Sequence, residues 1–380
     1  MNLTLTDTHQ MIRQTARDFA EKQLFAGASE RDDKEEFPGE FITALGELGF
    51  MGMMVPEEWG GAGLDTISYA LAMEEISRVD ASVGVIMSVN NSLVCYGINR
   101  YGNDDQKERY LRDLAAGKKL GAFALSEPEA GSDASNQHTV AVLEGDHYIL
   151  NGTKNWITNG STADLVLVMA STDRSKGPKG ISTFIVEKGT PGFNVAKKER
   201  KLGIRSSDTV SLAFENCHVP VANRIGGEGD GFRFAMTTLE GGRIGIAAQA
   251  LGIAQACVDA SLKYAKQRKA FGKFLAEHQA IQFKIADMAT NTEAARMLIL
   301  HASWLKDQGG AFGQVASMAK LLASRTAVQN ALEAIQIHGG YGYVREYHVE
   351  RYLRDAKVTE IYEGTSEIQK IVIARSLMKE

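Results

Sequence analysis

The stretch LEGGRIGIAAQALGIAQ, residues 239–255, decides the fold class of the C-terminal part of this sequence. Its apolar and small residues recur at intervals of three and four, which is the spacing of one face of a helix. The stripe continues beyond the stretch, and Gln255 is its one polar interruption. The spacing predicts a long helix with a buried face. The residues on this face are Ile244, Ala248, Leu251, Val258, Leu262 and Ala265.

Proline placement extends this prediction to the rest of the C-terminal part. The sequence has 6 prolines, and none of them follows residue 220. Because proline breaks helix interiors, a proline-free region rich in alanine and leucine is typical of helices. A second stripe ends before Gly309 and Gly310, and further helices are predicted over 314–338, near 346–356 and from Ser366. We therefore predict a bundle of four long helices or slightly more.

The remaining sequence divides into a helical part and a strand-rich part. In the first part, Asp7 with Gln10 and Asn103 with Gln106 are predicted to begin helices. In the second part, β-branched and apolar runs are separated by turn residues, which favours antiparallel strands. Strands are predicted at 139–142 and 148–150, as a hairpin, and at 165–168, 183–186 and 209–212.

The predicted fold class is therefore α+β with several domains. We expect an N-terminal α-helical domain over residues 1–122. A central antiparallel β-barrel or sandwich domain is predicted over 123–226, and a C-terminal four-helix bundle over 227–380.

Composition excludes several classes of protein. The 380 residues include 42 basic and 47 acidic side chains, so no large positive field is available to hold a nucleic acid. The 3 cysteines lie far apart without a CxxC pair, and the 8 histidines show no HExxH spacing, so neither a disulfide scaffold nor a metal site is expected. No stretch reaches the ~18 apolar residues of a membrane span, and the N-terminus shows no targeting bias. We expect a soluble, cytoplasmic chain.

Two motifs offer groups that suit a flat heterocycle. FALSEPEAGSD, residues 123–133, lies where helix gives way to strand, and its glycine and serines can offer N–H and O–H donors to a polar ring or a phosphate. In NWITNG, residues 155–160, a tryptophan followed by a threonine can stack on such a ring and hydrogen-bond to it. A domain-junction turn and a buried core tryptophan remain the structural alternatives.

Three further segments are rich in basic residues or glycine. In RKAFG, residues 268–272, cations near a helix end stabilise the helix, but Arg268 also suits a pyrophosphate and Phe271 an adenine. QIHGGYGY, residues 336–343, has three glycines, which favours a closely approaching ligand or a tight interhelical turn. The glycine-rich runs at 60–63 and 226–231 lack the strand–loop–helix context of a dinucleotide fold, and we expect turns there.

The segment IYEGTSEIQ, residues 361–369, contains a candidate catalytic carboxylate. Ser366 with Gln369 fits a capping box, so a helix start explains much of the segment. The capping box does not account for Glu363, which lies next to a glycine and two bulky residues. Because an apolar cleft raises the pKa of a carboxyl group, Glu363 suits a general base working near neutral pH.

Taken together, these segments resemble the acyl-CoA dehydrogenase family over essentially the whole chain, and the short-chain (butyryl-CoA) branch most closely. The resemblance implies a noncovalent FAD enzyme, a homotetramer in which part of each cofactor site comes from a neighbouring subunit. The matching motifs, in order, are FALSEPEAGSD, WITNG, LEGGRIGIAAQALGIAQ, QRKAFG, HQAIQFKIADMA, QIHGGYGY and IYEGTSEIQ.

The resemblance also implies roles for individual residues. The residues implied for FAD are Phe123, Leu125, Ser126, Gly131, Ser132, Trp156, Ile157, Thr158, Arg268, Phe271, Gln279, Gln336, Ile337, Gly339, Gly340, Thr365 and Glu367. Those implied for the acyl-CoA are Ser132, Arg243, Asp259, Leu262 and Gly364.

Glu363 matches the catalytic base of the family. Some relatives carry this carboxylate just before the arginine that matches Arg243, where this sequence has Gly242. The resemblance implies that Glu363 removes the α-proton of a short-chain acyl-CoA while a hydride passes to flavin N5, giving the trans-2-enoyl-CoA. Electrons would then pass to an electron-transfer flavoprotein.

Several alternatives stay open at this point. The acyl group can be branched, cyclic or medium-chain, or the net reaction can be enoyl-CoA reduction or oxygen-dependent oxidation. A non-catalytic flavin-binding assembly factor and a ligand-free helical module are further alternatives. A mature eukaryotic chain of this family would be expected in the mitochondrial matrix instead of the cytoplasm.

Overall fold

The computed structural model describes residues 4–378, and its first part is helical as predicted. The first helix is capped by Thr6, whose side chain accepts from the backbone N–H of His9 at 3.2 Å, so the predicted Asp7–Gln10 pair is wrong by one residue. The predicted Asn103–Gln106 cap is confirmed, with both of its hydrogen bonds present. The helices are α1 Asp7–Phe19, α2 Ala28–Lys34, α3 Gly39–Glu47, α4 Thr66–Val79, α5 Ala81–Ser88, α6 Tyr96–Tyr101, α7 Asp104–Gln106 and α8 Arg112–Ala115, with π-helical segments at Ala20–Leu24, Val89–Cys95 and Lys107–Leu111.

The middle part forms one eight-stranded sheet in the order β6-β7-β3-β2-β4-β5-β8, with β1 paired to β4. The predicted hairpin is β2–β3, and the other predicted strands are β4, β5 and β7. The strands are β1 Gly121–Ala124, β2 Val140–Glu144, β3 His147–Thr158, β4 Leu165–Ser171, β5 Ile181–Glu187, β6 Phe193–Lys198, β7 Thr209–Pro220 and β8 Arg224–Ile225.

This sheet differs from the prediction in two respects. Within the described residues it is not closed into a barrel. It is also mixed, because β1 and β2 pair with β4 in parallel while the other pairs are antiparallel. A loop rather than a tight turn follows β1, and strands without a hairpin between them are free to pair in parallel. The predicted domain limit at residue 122 falls inside β1.

Up to residue 378, the C-terminal part contains three long α-helices and two shorter ones, and α9 is its centre. The helix α9 packs against α10 and α11 and also against α4 of the N-terminal part. The approach to α4 is close at Gly252, where a Cβ atom would overlap the backbone carbonyl of Glu74. The helices are α9 Gly231–Gln267, α10 Gln279–Asp307, α11 Gly313–His338, α12 Val349–Val358 and α13 Ser366–Leu377, and the short strands β9 Lys269–Ala270 and β10 Lys273–Phe274 pair between α9 and α10.

The expectation that no stretch has the length and hydropathy of a membrane span is wrong for two helical segments. Residues Ala81–Tyr101 and Gly231–Gln267 pass that test by length and composition. In the folded chain, 94% and 83% of their apolar windows are buried against other parts of the protein. Both therefore pack here as core helices.

Candidate active site

Glu363 lies in the turn between α12 and α13. Its backbone is left-handed, with φ 51°, and Gly364 follows with φ 95°. The cap of α13 is Thr365, whose hydroxyl accepts from the N–H of Ile368, so the predicted Ser366–Gln369 capping box is wrong. The Gln369 amide instead donates back to the Gly364 carbonyl at 2.8 Å. These contacts fix the turn that carries the candidate base.

The Glu363 carboxyl group is held in an environment that suits proton transfer. Its Oε2 atom is buried and has no hydrogen-bond partner among the described residues. Burial raises the pKa of Glu363 to about 7, against the opposing attraction of Lys320 and Arg243. A carboxyl group with a pKa near neutrality and a free oxygen can gain and lose a proton at physiological pH.

Gly242 on α9 lies directly opposite this carboxyl group. A Cβ atom at position 242 would overlap Glu363 Oε2 and would come within 2.9 Å of the Leu93 side chain. The absence of a side chain therefore gives the Glu363 carboxyl its space. A side chain at 242 would therefore require the Glu363 carboxyl group to shift.

Polar side chains lie close to α9 at Gly245, one helical turn beyond Gly242. A Cβ atom at Gly245 would overlap the Tyr69 hydroxyl and lie 2.6 Å from Ser88 Oγ. The Tyr69 hydroxyl donates to Ser88 Oγ at 3.1 Å. One further turn along α9, Gln249 Oε1 accepts a hydrogen bond from the Tyr362 hydroxyl. We call these four side chains the polar wall. Helix packing assembles it, since α4, α5 and α9 each supply a member.

Apart from the Glu363 site, the residues implied for the flavin ring form a surface on the sheet, here called the second surface. The Asn155 N–H donates to the Ser126 carbonyl at 2.9 Å, which joins the loop after β1 to the end of β3. Trp156 is 63% exposed, with φ 62°, although large aromatic side chains are usually well covered. Gly131 and Ser132 are exposed on the loop, and a Cβ atom at Gly131 would meet nothing within 4 Å. An uncovered aromatic face beside an open loop fits a flat ring system.

Buried residues support this surface from behind. The Lys154 ammonium, fully buried, donates to Leu125 O at 3.1 Å, Glu127 Oε1 at 2.7 Å and Gln137 Oε1 at 3.1 Å. The side chains of Phe123, Leu125 and Ile157 are buried, so they support the surface and do not form its outer face. Thr158 is half-buried at the end of β3.

The residues implied for the pyrophosphate and adenosine half form a third surface. Phe271 is 98% exposed, with φ 51°, and the Arg268 guanidinium lies over the Tyr341 ring at 5.6 Å. Gly339 and Gly340 are open, because a Cβ atom at either would meet nothing within 4 Å. Gln279 and Gln336 are exposed, and Ile337 is buried. A nearly bare phenylalanine beside a cation and an open backbone fits an aromatic base carrying phosphates.

Two of the residues implied for the acyl-CoA lie away from Glu363. Asp259 is about 16 residues beyond Arg243, or roughly 24 Å along α9. Its carboxylate is paired with Arg78 Nε at 2.7 Å, and Leu262 is 38% exposed on the same part of the helix. The structure therefore does not bring these two residues to the candidate base. It does bring Arg243 and Gly364 there, and Thr365 and Glu367 follow at the start of α13.

Sequence reasoning missed Lys320 and the polar wall. Lys320 lies on a stripe of small residues, with Ala316 one turn before it and Ala323 one turn after it. A lysine on such a stripe is the one signal that could have indicated its burial. Tyr69 and Ser88 carry no comparable signal, because they meet α9 only through tertiary packing.

Comparisons with known proteins match one family along nearly the whole chain. Family models for the acyl-CoA dehydrogenase N-terminal, middle and C-terminal domains match residues 6–118, 122–217 and 229–378. The chain is 54% identical to the mitochondrial short-chain specific acyl-CoA dehydrogenase of Rattus norvegicus, covering 100% of this chain and 92% of the relative.

Two solved structures are similar to it over their full length. Butyryl-CoA dehydrogenase from Megasphaera elsdenii has a TM-score of 0.98 at 48% identity, with 100% of both chains covered. A chain from work on the electron transferring flavoprotein of Acidaminococcus fermentans has a TM-score of 0.99 at 50% identity, again with 100% of both chains covered. The chain therefore belongs to the acyl-CoA dehydrogenase family.

Proposed function

We propose that this protein is an FAD-dependent dehydrogenase of short-chain acyl-CoA thioesters, producing the trans-2-enoyl-CoA, with Glu363 as the base. The observation that carries the proposal is the Glu363 Oε2 atom, which is buried opposite Gly242 and has no hydrogen-bond partner among residues 4–378. The match to short-chain and butyryl-CoA enzymes supports the same substrate class. The test is the loss of turnover in Glu363→Gln described in the Discussion.

The residues of this chain account for the proton half of the reaction. Glu363 Oε2 accepts the α-proton of the thioester, and Lys320 and Arg243 stabilise the carboxylate before the transfer. Burial keeps bulk water away from the acceptor oxygen. When bound, FAD supplies the oxidant that takes the hydride from the β-carbon.

The donor set on the second and third surfaces fits FAD. Trp156 and the loop around Gly131 and Ser132 would hold the ring, and Thr365 and Glu367 lie beside the base. Arg268, Phe271, Gln279 and the segment 336–340 would hold the pyrophosphate and adenosine half. We propose a homotetramer in which Phe271 is covered by a neighbouring subunit, since an isolated chain leaves it 98% exposed.

We also propose an electron-transfer flavoprotein as the electron acceptor, supported by the Acidaminococcus fermentans match. Peroxide release without an added electron carrier would instead indicate an oxygen-dependent oxidase. The proposed location is the cytoplasm, although mammalian relatives are named as mitochondrial. The proposed domain limits remain 1–122, 123–226 and 227–380.

The polar wall leads to a prediction about acyl-chain length. We propose that the acyl chain enters beside Gly242 and runs toward the polar wall, where the methylene groups of a long chain would meet the Tyr69–Ser88 and Gln249–Tyr362 hydrogen bonds. Because each such group would break hydrogen bonds without replacing them, the rate should be highest with butyryl-CoA and fall with longer chains. Steady-state rates across straight-chain acyl-CoAs from C4 to C12 test this, and a maximum beyond C8 would contradict it.

A second prediction concerns FAD retention. Arg268→Ala removes a cation from the third surface and should weaken FAD binding about 10- to 100-fold, the usual effect of losing a charge-assisted hydrogen bond. Flavin occupancy after dialysis is the measurement. Lys266→Ala, which removes an exposed cation from the last turn of α9, is the control and should keep its flavin. Full occupancy in Arg268→Ala would remove that residue from the pyrophosphate site.

A further inference from the structure

Lys320 is a buried cation whose position is not explained by an ion pair. It lies in the middle of α11 and is fully buried, and its ammonium donates to the Gly364 carbonyl at 2.8 Å. Within residues 4–378, no carboxylate lies at ion-pair distance from it. Burying a charge without a paired partner costs free energy, and an apolar side chain of similar size would avoid that cost. Stability alone therefore does not explain a charged side chain at this position.

The carbonyl that Lys320 holds belongs to the turn carrying Glu363. Gly364 O accepts from Lys320 Nζ and also from Gln369 Nε2, each at 2.8 Å. The Glu363 backbone has the left-handed conformation, with φ 51°. A residue with a side chain rarely adopts this conformation unless its surroundings impose it. The two donors on one carbonyl supply that constraint.

The same helix also supports the second cation behind Glu363. Ser317, one turn before Lys320 on α11, accepts from Arg243 Nη1 at 3.2 Å. Helix α11 therefore places Lys320 directly and Arg243 through Ser317. Burial lowers the pKa of Lys320 to about 8, and the attraction of the Glu363 carboxylate is the largest opposing cause. The two groups thus influence each other although they share no hydrogen bond.

We propose that Lys320 is a positioning residue for the proposed reaction, holding the Glu363–Gly364 turn through the Gly364 carbonyl and stabilising the Glu363 carboxylate by its charge. This inference rests on the proposed role of Glu363 as the base. Without the ammonium, Glu363 would hold its proton to higher pH, and less enzyme would carry the ionised base at neutral pH.

Other charged and titratable groups share the region with Lys320 and Glu363. Glu240 on α9 attracts Arg243, and Glu360 and Glu367 act weakly on Lys320. The Tyr69 and Tyr362 phenols have raised pKa values because they are buried, so they stay neutral in the working range. The groups that interact with Glu363 from α4, α9, α11 and its own turn are therefore Tyr69, Arg243, Lys320 and Tyr362, and the three other carboxylates act on the two cations.

The test follows the protonation of Glu363 in the FAD-loaded enzyme. The infrared band of the protonated carboxyl group is assigned by its loss in Glu363→Gln and is then followed with pH. Lys320→Gln removes the charge but keeps a donor for the Gly364 carbonyl, whereas Lys320→Met removes both. Lys306→Met is the control, because Lys306 is another largely covered lysine of the same domain whose pKa burial lowers to about 8, without a resolved effect on Glu363.

We expect both Lys320 variants to raise the midpoint of the Glu363 titration by about one pH unit, and Lys306→Met to leave it unchanged. In the rate profile, the acidic limb should move by the same amount in Lys320→Gln, with a plateau close to that of the unmodified enzyme. The plateau should fall about tenfold in Lys320→Met, because the turn is no longer held.

Three outcomes would overturn the inference: a Lys320→Gln midpoint within about 0.2 pH unit of the unmodified protein, an equal shift in Lys306→Met, or equal plateaus in the two Lys320 variants. If Lys320→Met does not fold, Lys320→Gln alone decides through its midpoint. Full activity in Glu363→Gln would refute the proposed function but not the midpoint shift, so the two failures are distinguishable.

Discussion

Replacing Glu363 with glutamine is expected to lower the turnover of butyryl-CoA by about 10³- to 10⁴-fold, because glutamine cannot accept the α-proton. The amide has nearly the same shape as the carboxyl group, and Gly242 leaves space for it. The variant should therefore keep its flavin and bind acyl-CoA. Steady-state turnover, with flavin content and acyl-CoA affinity measured on the same preparation, checks this expectation.

The control is Glu346→Gln, which removes an exposed carboxylate shortly before α12. It should turn over at the unmodified rate. Unchanged turnover in Glu363→Gln would exclude Glu363 as the base. Loss of flavin or acyl-CoA binding together with activity would show that the carboxylate is needed for assembly of the site.

Replacing Lys154 with methionine is expected to destabilise the protein by about 3–5 kcal/mol, since it leaves the buried Glu127 carboxylate without its cation. Lys154 is fully buried and Glu127 nearly so, and their nitrogen and oxygen lie 2.7 Å apart. Glu127 still accepts from the N–H groups of His138 and Thr139, so the lower end of the range applies. Urea unfolding at fixed protein concentration measures the loss.

This variant should also release flavin, because Lys154 anchors the Leu125 carbonyl next to the loop that holds the ring. Lys22→Met, which breaks an exposed pair with Asp18, is the control and should leave the unfolding midpoint unchanged. Adding Glu127→Gln to Lys154→Met should restore part of the stability, because no unpaired charge then remains. Equal unfolding midpoints for Lys154→Met and the unmodified protein would contradict the assigned role.

The fold follows from the sequence where its signals are periodic. The stripe through Ile244 and Leu251 predicts α9, and β-branched and apolar runs between turn residues predict β4, β5 and β7. The short strand β1, with the sequence GAFA, and the largely exposed β6 have no comparable apolar run. The parallel pairing of β1 with β4 depends on long-range contacts and has no local signature.

The candidate site likewise contains residues that the sequence identifies and residues that it does not. Glu363 is identifiable from its segment and from the family resemblance, and Gly242 from the missing alternative base. Lys320 and the Tyr69–Ser88 pair are not identifiable, because their roles arise from the packing of α11 and α4 around α9. The role of Asp259 in acyl-CoA binding stays a prediction, because the fold shows only that its carboxylate pairs with Arg78.

The central claim is that Glu363 takes the α-proton of a short-chain thioester. The most direct test is anaerobic mixing of the FAD-loaded protein with butyryl-CoA, following the visible flavin absorption. We predict rapid bleaching in the unmodified protein and a persistent yellow colour in Glu363→Gln. Bleaching of Glu363→Gln at the unmodified rate, or no bleaching of either protein, would contradict the account.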